Sequence, residues 1–252
     1  MKRSIYIFLF FVFIASRIFA DNNSTIISKA NQEYAKGEYF NSIELYKNVI
    51  KNGFESADLY YNLGNAYFKV NDFSSAMLYF EKARKLNPGD DNINFNIKLT
   101  GTKIPDKIEP VPVIFFKRFW IQMSELFSAD FWAILIIAFF AIFFILTGFY
   151  LLSRTILIRK IAFWSGTFFL FITLLSFALG NYQYQNVISN KDAIVVNPSV
   201  TIKSSPNENS TDLFVIHEGT KVRITDEVGE WSEVSIANGS RGWMKTSSFE
   251  KI

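Results

Sequence analysis

The sequence of 252 residues contains no cysteine and a single histidine, His217. Without cysteine the chain has no disulfides, no thiol nucleophile and no lipidated cysteine, so its folded parts must be held by packing alone. With one histidine it also lacks the His/Cys clusters that bind zinc. His217 stands beside the turn signal Glu218-Gly219, where a lone histidine is more typical of a turn than of a catalytic site.

Sequence signatures of enzymes are missing as well. There is no glycine-rich phosphate-binding loop and no G-x-S-x-G nucleophile motif, and the carboxylates are scattered over polar positions. We therefore predict that the protein is not an enzyme and has no catalytic residue, no cofactor and no metal ion. The 26 Lys and Arg nearly balance the 23 Asp and Glu, so no nucleic-acid partner is predicted either.

The most regular pattern lies in residues 57–88, where apolar and small residues recur at the spacing of two short helices that pack face to face. Asn71-Asp72 forms the predicted turn and Pro88 ends the second helix. The pattern resembles the tetratricopeptide repeat, which implies a protein-binding scaffold. Its residues are Tyr60, Leu63, Gly64 and Tyr67 in the first helix and Ala76, Phe80 and Ala83 in the second.

A weaker copy of this pattern precedes it, because a shift by the repeat period of about 34 residues aligns Ala30 with Gly64 and Tyr46 with Phe80. About three repeats are usually needed for stability, so a shorter array favours a bound partner or support from the membrane. The predicted repeat domain covers 21–103, with repeats at about 23–56 and 57–90 and a capping helix at 91–101.

Three apolar stretches predict export and membrane insertion. Residues 1–20 have Lys2 and Arg3 before an apolar run and end on the small residue Ala20, as in a secretory signal peptide, although an uncleaved anchor stays an alternative. Residues 131–153 and 161–180 carry no charge and are each long enough to cross a bilayer as a helix. We predict two transmembrane helices.

The predicted loop 154–160 between these helices contains Arg154, Arg159 and Lys160 and no acidic residue. The positive-inside rule then places the loop in the cytoplasm and both flanking domains outside, in the periplasm of a bacterial inner membrane. Residues 104–130 are predicted to be a linker with an interfacial helix, whose Trp120 and phenylalanines lie at the level of the lipid headgroups.

Residues 191–252 change to short apolar runs separated by turn signals such as Val228-Gly229 and Asn238-Gly239, which predicts a small β-barrel. The order of a Gly-Thr turn, a tryptophan and a closing Gly-Trp resembles the bacterial SH3 domain. Trp231 is out of phase with the buried pair Val234 and Ile236, so it is predicted to point outward, either as a ligand contact or as a cap on the barrel. Trp243 is assigned to the core.

The fold class is therefore a multi-domain membrane protein with α-helical tetratricopeptide repeats, two transmembrane helices and a small all-β SH3-like barrel. This order of segments resembles the BatE family of the bacterial aerotolerance operons. The resemblance implies an envelope stress complex with membrane proteins that carry von Willebrand factor A domains and with a MoxR-type ATPase system. It implies no defined molecular activity.

The sequence is compatible with two functions of the protein. In the first, the protein is a membrane scaffold that binds other proteins in the groove of its repeats. In the second, the SH3-like domain binds peptidoglycan, with Trp231 as the possible ligand contact. Packing within the array is the alternative role of the groove residues. These predicted partner-binding residues are Asn31, Tyr34, Tyr61, Asn65 and Phe68, with Ile27 and Phe95 as apolar neighbours.

Overall fold

The computed structural model describes residues 23–189 and 191–252, so the predicted signal peptide at 1–20 lies outside the described residues. Helices occupy the first three quarters of this part of the chain and strands the last quarter, which confirms the predicted fold class. The helices are α1 (23–35), α2 (Tyr39–Lys51), α3 (Ala57–Lys69), α4 (Phe73–Leu86), α5 (Asp91–Gly101), α6 (Phe115–Ser124), α7 (Ala129–Leu152) and α8 (Ile156–Ile188).

Helices α1 to α4 form two antiparallel pairs with matching turns. Gly37 and Asn71 occupy equivalent positions in the two pairs, and both have a positive φ, of 86° and 62°. The side chain of Asp72 then caps α4 by accepting a hydrogen bond from the Ser75 amide. Gly64 allows α3 and α4 to approach, because a Cβ there would lie 2.7 Å from the ring of Phe80.

The core of the array is formed by the small and large residues that the repeat spacing singled out. Ala30, Tyr46, Leu63 and Phe80 are all at most 1% exposed. Burial of each large side chain contributes about 1.5–3 kcal/mol. The outer side of α1 is instead polar and exposed, with Ser28, Lys29, Gln32 and Lys36.

Helices α7 and α8 form a hairpin and are long and apolar enough to cross a membrane, with mean hydropathies of 2.7 and 1.9. Small residues of α8 line its contact with α7, and Gly180 is close enough that a Cβ would lie 2.9 Å from the Cβ of Trp132.

The bounds of the hairpin differ from the prediction in two places. The connection is only 153–155, so Arg159 and Lys160 lie on the first turns of α8 and not in a loop at 154–160. Helix α8 also continues past 180 to Ile188, because no Gly or Pro interrupts the polar segment that follows Gly180.

The C-terminal strands are β1 (Asp192–Val195), β2 (Ser199–Lys203), β3 (Asp212–His217), β4 (Lys221–Val228), β5 (Trp231–Ser235), β6 (Arg241–Lys245) and β7 (Phe249–Lys251). They form one antiparallel sheet with the order β3-β2-β6-β5-β4-β1-β7, and we call this domain the barrel. Its core contains Val222 and Val234 from neighbouring strands and Met244 from β6. Glycines at the predicted turns, Gly219, Gly229 and Gly239, have positive φ.

Candidate functional site

One side of the helical array is formed by α1, α3 and α5, which lie side by side. The Asn96 amide of α5 donates a 2.8 Å hydrogen bond to Asn65 Oδ1 of α3. Burial raises the pKa of Tyr34 on α1, and the nearby hydroxyls of Tyr39 and Tyr61 raise it further. Tyr34 and Tyr61, from successive repeats, are therefore close enough for their hydroxyl groups to interact electrostatically. We call the surface of α1, α3 and α5 the repeat groove.

Both predicted asparagines of the groove already have a partner within the array. Asn31 Oδ1 accepts a hydrogen bond from the hydroxyl of the buried Tyr46. Asn65 Oδ1 accepts a hydrogen bond from the side-chain amide of Asn96. In both residues it is the side-chain oxygen, and not the amide nitrogen, that takes part in this hydrogen bond. The pairing fixes the orientation of each side chain in advance, which lowers the entropy cost of binding.

The predicted aromatic residues of the groove are half-buried. Tyr61 packs with its ring centroid 5.9 Å from that of Phe80, and Phe68 lies edge-on to Phe73 at 5.4 Å. Ile27 is likewise half-buried against the first repeat. Each of these side chains therefore presents one edge to solvent and the rest to the array.

The most exposed apolar residue of the groove is Phe95 on α5, at 64%, and the neighbouring Leu99 is 37% exposed. They are four residues apart and so share one side of α5. The sequence pattern identified Phe95, but Leu99 and Asn96 were missed because α5 belongs to an incomplete repeat with no second helix to align.

On the opposite side of the array, helix α4 is covered by the barrel. Met77 and Leu78 of α4 pack with Ile194 of β1 and with Ile252, and all four are at most 8% exposed. Sequence reasoning treated the array and the barrel as separate domains, and it missed this contact.

Charged groups surround the apolar contact between α4 and the barrel. Glu81 is only 5% exposed. Its Oε2 atom lies 2.6 Å from Arg84 Nη2 and 2.9 Å from Nζ of Lys221 in the barrel, so it forms an ion pair with each. Lys85 donates to the carbonyls of Ser189 and Ile252. A buried carboxylate is stable only when it is paired, so this network favours one relative orientation of array and barrel.

The chain between α5 and α6, residues 102–114, crosses the barrel, and we call it the strap. Ile104 is 6% exposed and packs against Gly219, and Ile108 packs against the barrel core. Further along, the Val111 amide donates to the carbonyl of Ala237. The strap therefore contacts the barrel along most of its length.

Asp106 is the polar anchor of the strap. Its carboxylate accepts hydrogen bonds from the His217 amide at 2.7 Å and the Thr220 hydroxyl at 2.6 Å, and it lies 2.8 Å from the His217 ring Nδ1. Burial acts to raise the pKa of Asp106, but the hydrogen bonds from Thr220 and His217 outweigh it and leave the pKa below its ordinary value. The lone histidine is thus in contact with a structural aspartate.

A second surface lies on the outward side of the barrel. In the register of β5 and β6, Trp231 is opposite Lys245, and Trp243 is opposite Glu233. The two tryptophans therefore occupy diagonal positions on one face. Trp231 points outward, as its phase indicated. The assignment of Trp243 to the core is wrong, because the alternation of β6 buries Gly242 and Met244 and leaves Trp243 half-exposed.

Charged side chains flank this pair of tryptophans. Lys245 Nζ lies 2.5 Å from Glu208 Oε1. On β2, Lys203 is opposite Trp243, and its Nζ lies 2.6 Å from Asp212 Oδ1. Among the described residues no group of three or more His, Asp or Glu is arranged to hold a metal ion. The two candidate surfaces are made of apolar, hydrogen-bonding and charged groups.

Three segments of the chain match known protein families. Residues 57–90 match the tetratricopeptide repeat, residues 30–71 match a second description of the same repeat, and residues 198–250 match the bacterial SH3 domain. No curated protein matches the chain at a significant level. Domains of both kinds typically bind other molecules without catalysis, and the repeats indicate protein partners.

The anchoring role of Asp106 predicts a pH-dependent effect of Asp106→Ala. Because the pKa of Asp106 is lower in the folded chain, its stabilisation is complete above its ordinary pKa of about 4 and is lost as the pH falls through the folded value. Near neutral pH we expect the free energy that holds the strap on the barrel to be lower in the variant by about 1.5–3 kcal/mol. Hydrogen exchange of the Val111 amide should then be faster by about tenfold or more.

Glu109→Ala is the matched control, since Glu109 is an exposed carboxylate of the same strap. It should leave the exchange of Val111 unchanged. Equal acceleration in both variants, or a difference from wild type that persists under strongly acidic conditions, would contradict the role assigned to Asp106.

Proposed function

We propose that the protein is a membrane-anchored scaffold that binds partner proteins in its repeat groove. The proposal rests on a difference in burial between the two sides of the array. The side formed by α4 is occupied by the barrel, whereas α1, α3 and α5 leave half-buried aromatic edges and the exposed ring of Phe95 open to solvent. A face of this kind is typical of an interaction surface.

The groove favours a partner segment with a large apolar anchor and free backbone hydrogen-bonding groups. Phe95 and Leu99 offer an apolar contact at one end of the groove. The amide nitrogens of Asn31 and Asn65 offer donors to backbone carbonyls along it. Tyr34, Tyr61 and Phe68 form the walls between these points.

The order of segments supports a role like that of the BatE family, in an envelope stress complex of the bacterial inner membrane. In that role the partners are membrane proteins with von Willebrand factor A domains and a MoxR-type ATPase system. The two apolar helices are compatible with membrane association. Basic residues at the tip of the hairpin favour a cytoplasmic tip and a periplasmic location for the array and the barrel.

Phe95→Ser tests the groove. The ring of Phe95 is 64% exposed, so its loss should leave the array folded, while a partner that buries it should bind about tenfold more weakly or worse. The measurement is quantitative mass spectrometry of proteins that co-purify with the full chain from solubilised membranes. Phe40→Ser is the matched control, because Phe40 is 73% exposed on α2, outside the groove.

Partner proteins lost from Phe95→Ser but retained by Phe40→Ser would support the proposal. An identical set of partners with wild type and both variants would overturn the assignment of the groove.

The periplasmic orientation predicts the labelling of single cysteines, which are unique in a chain without native cysteine. In spheroplasts, a membrane-impermeant maleimide should label Phe95→Cys, whose position is exposed on α5. Arg154→Cys, at the tip of the hairpin, should react only after lysis. The reverse pattern would invert the proposed topology.

Binding of peptidoglycan by the barrel is the second candidate, and the diagonal pair Trp231 and Trp243 favours it. Two half-exposed tryptophans on one face offer rigid surfaces for stacking on sugars or peptide. We expect purified sacculi to retain the wild-type chain and to lose Trp231→Ala and Trp243→Ala. Lys251→Ala, on the distant strand β7, is the control. Equal retention of all four proteins would exclude wall binding through this face.

A further inference from the structure

Helix α6 presents a cluster of three exposed phenylalanine rings. Phe115, Phe116 and Phe119 are 71%, 79% and 53% exposed. The ring of Phe115 lies 5.6 Å from that of Phe116 and 6.4 Å from that of Phe119, measured between centroids. A contiguous exposed aromatic surface of this kind marks an interaction site.

Basic residues border this surface. At 100° per residue the three phenylalanines span an arc of about 100° on α6, with Arg118 about 60° beyond one edge and Lys117 about 100° beyond the other. The helix contains no acidic residue. An apolar arc between cationic edges is the arrangement by which in-plane helices bind anionic membranes, with the long basic side chains reaching the headgroups.

The position of α6 in the fold is at one end of the apolar hairpin. The Trp132 indole of α7 donates a 3.0 Å hydrogen bond to the carbonyl of Ser124, the last residue of α6. Helix α7 has 24 residues and is about 36 Å long, which is sufficient to cross a hydrocarbon core of about 30 Å. The turn 125–128 contributes exposed Leu126 and Phe127, so apolar surface continues from α6 onto the hairpin.

We infer that α6 lies in the plane of the bilayer surface and binds anionic phospholipid, with the three phenylalanines at the acyl boundary and Lys117 and Arg118 at the headgroups. The inference rests on the membrane anchoring in the proposed function. Helix α6 thus adds a second contact, selective for anionic lipid, to that of the spanning hairpin.

This contact also orients the array. The loop before α5 approaches the turn after α6 so closely that a Cβ on Gly89 would lie 2.6 Å from the Leu126 carbonyl oxygen. Helix α6 therefore contacts the hairpin, and the turn that follows it contacts the array. With α6 bound to the bilayer surface, the tilt of the repeat groove relative to the membrane is fixed.

The test uses the full chain in nanodiscs with a bimane label on Phe119→Cys, the only cysteine in that variant. Lipids brominated near the glycerol end of the acyl chain should quench the label, and more strongly in phosphatidylglycerol than in phosphatidylcholine. Lys117→Gln with Arg118→Gln should weaken the preference for the anionic lipid by about fivefold for each residue. Ile145→Cys in α7 and Phe40→Cys in the array are the quenched and unquenched reference sites.

The outcomes separate this inference from the proposal on which it rests. Quenching at 145 without quenching at 119 would overturn the inference and leave the hairpin in the membrane, with another protein as the cover of α6. Absence of quenching at both sites would overturn the membrane anchoring as well. Equal quenching at 119 in both lipids, or in the double variant and its parent, would overturn the selectivity for anionic lipid.

Discussion

Helix α4 is buried on two sides, and the arrangement of the array and the barrel follows from this. One side packs on α3 within the second repeat, and the other packs on the barrel through Met77 and Leu78. Two repeats and a single cap bury too little apolar surface to be stable alone, because each unit of a solenoid is stabilised by packing on its neighbours. The barrel and the strap act as a further layer, so intramolecular packing provides the support that the short array requires.

The same packing assigns roles to the remaining surfaces. Because the barrel covers α4, the repeat groove is the side of the array that stays available to a partner. Because the strap and the α4 contact occupy other parts of the barrel, Trp231 and Trp243 lie on a face that is still open. The repeat groove and the face with the tryptophans are therefore separate surfaces of one packed body, and occupation of one does not require the other.

The elements that sequence reasoning predicted are those determined by local rules. The period of the repeats was visible because Gly64 and Phe80 must meet within about 20 residues of each other along the chain. The outward position of Trp231 followed from the period of two in a strand. The strap was not predicted, because Asp106 meets His217 across 111 residues and nothing in either local pattern indicates the other. Its prolines, Pro105, Pro110 and Pro112, are typical of a linker.

The polar outer side of α1 limits how copies of the protein can associate end to end. Solenoids lengthen when the apolar end of one array stacks on the next, and a polar terminal helix prevents this. Ser28, Lys29, Gln32 and Lys36 offer no such apolar end, and at the far end of the array the chain leaves α5 to cross the barrel. Among the described residues, the first helix of the array therefore presents no apolar outer side on which a second array could stack end to end.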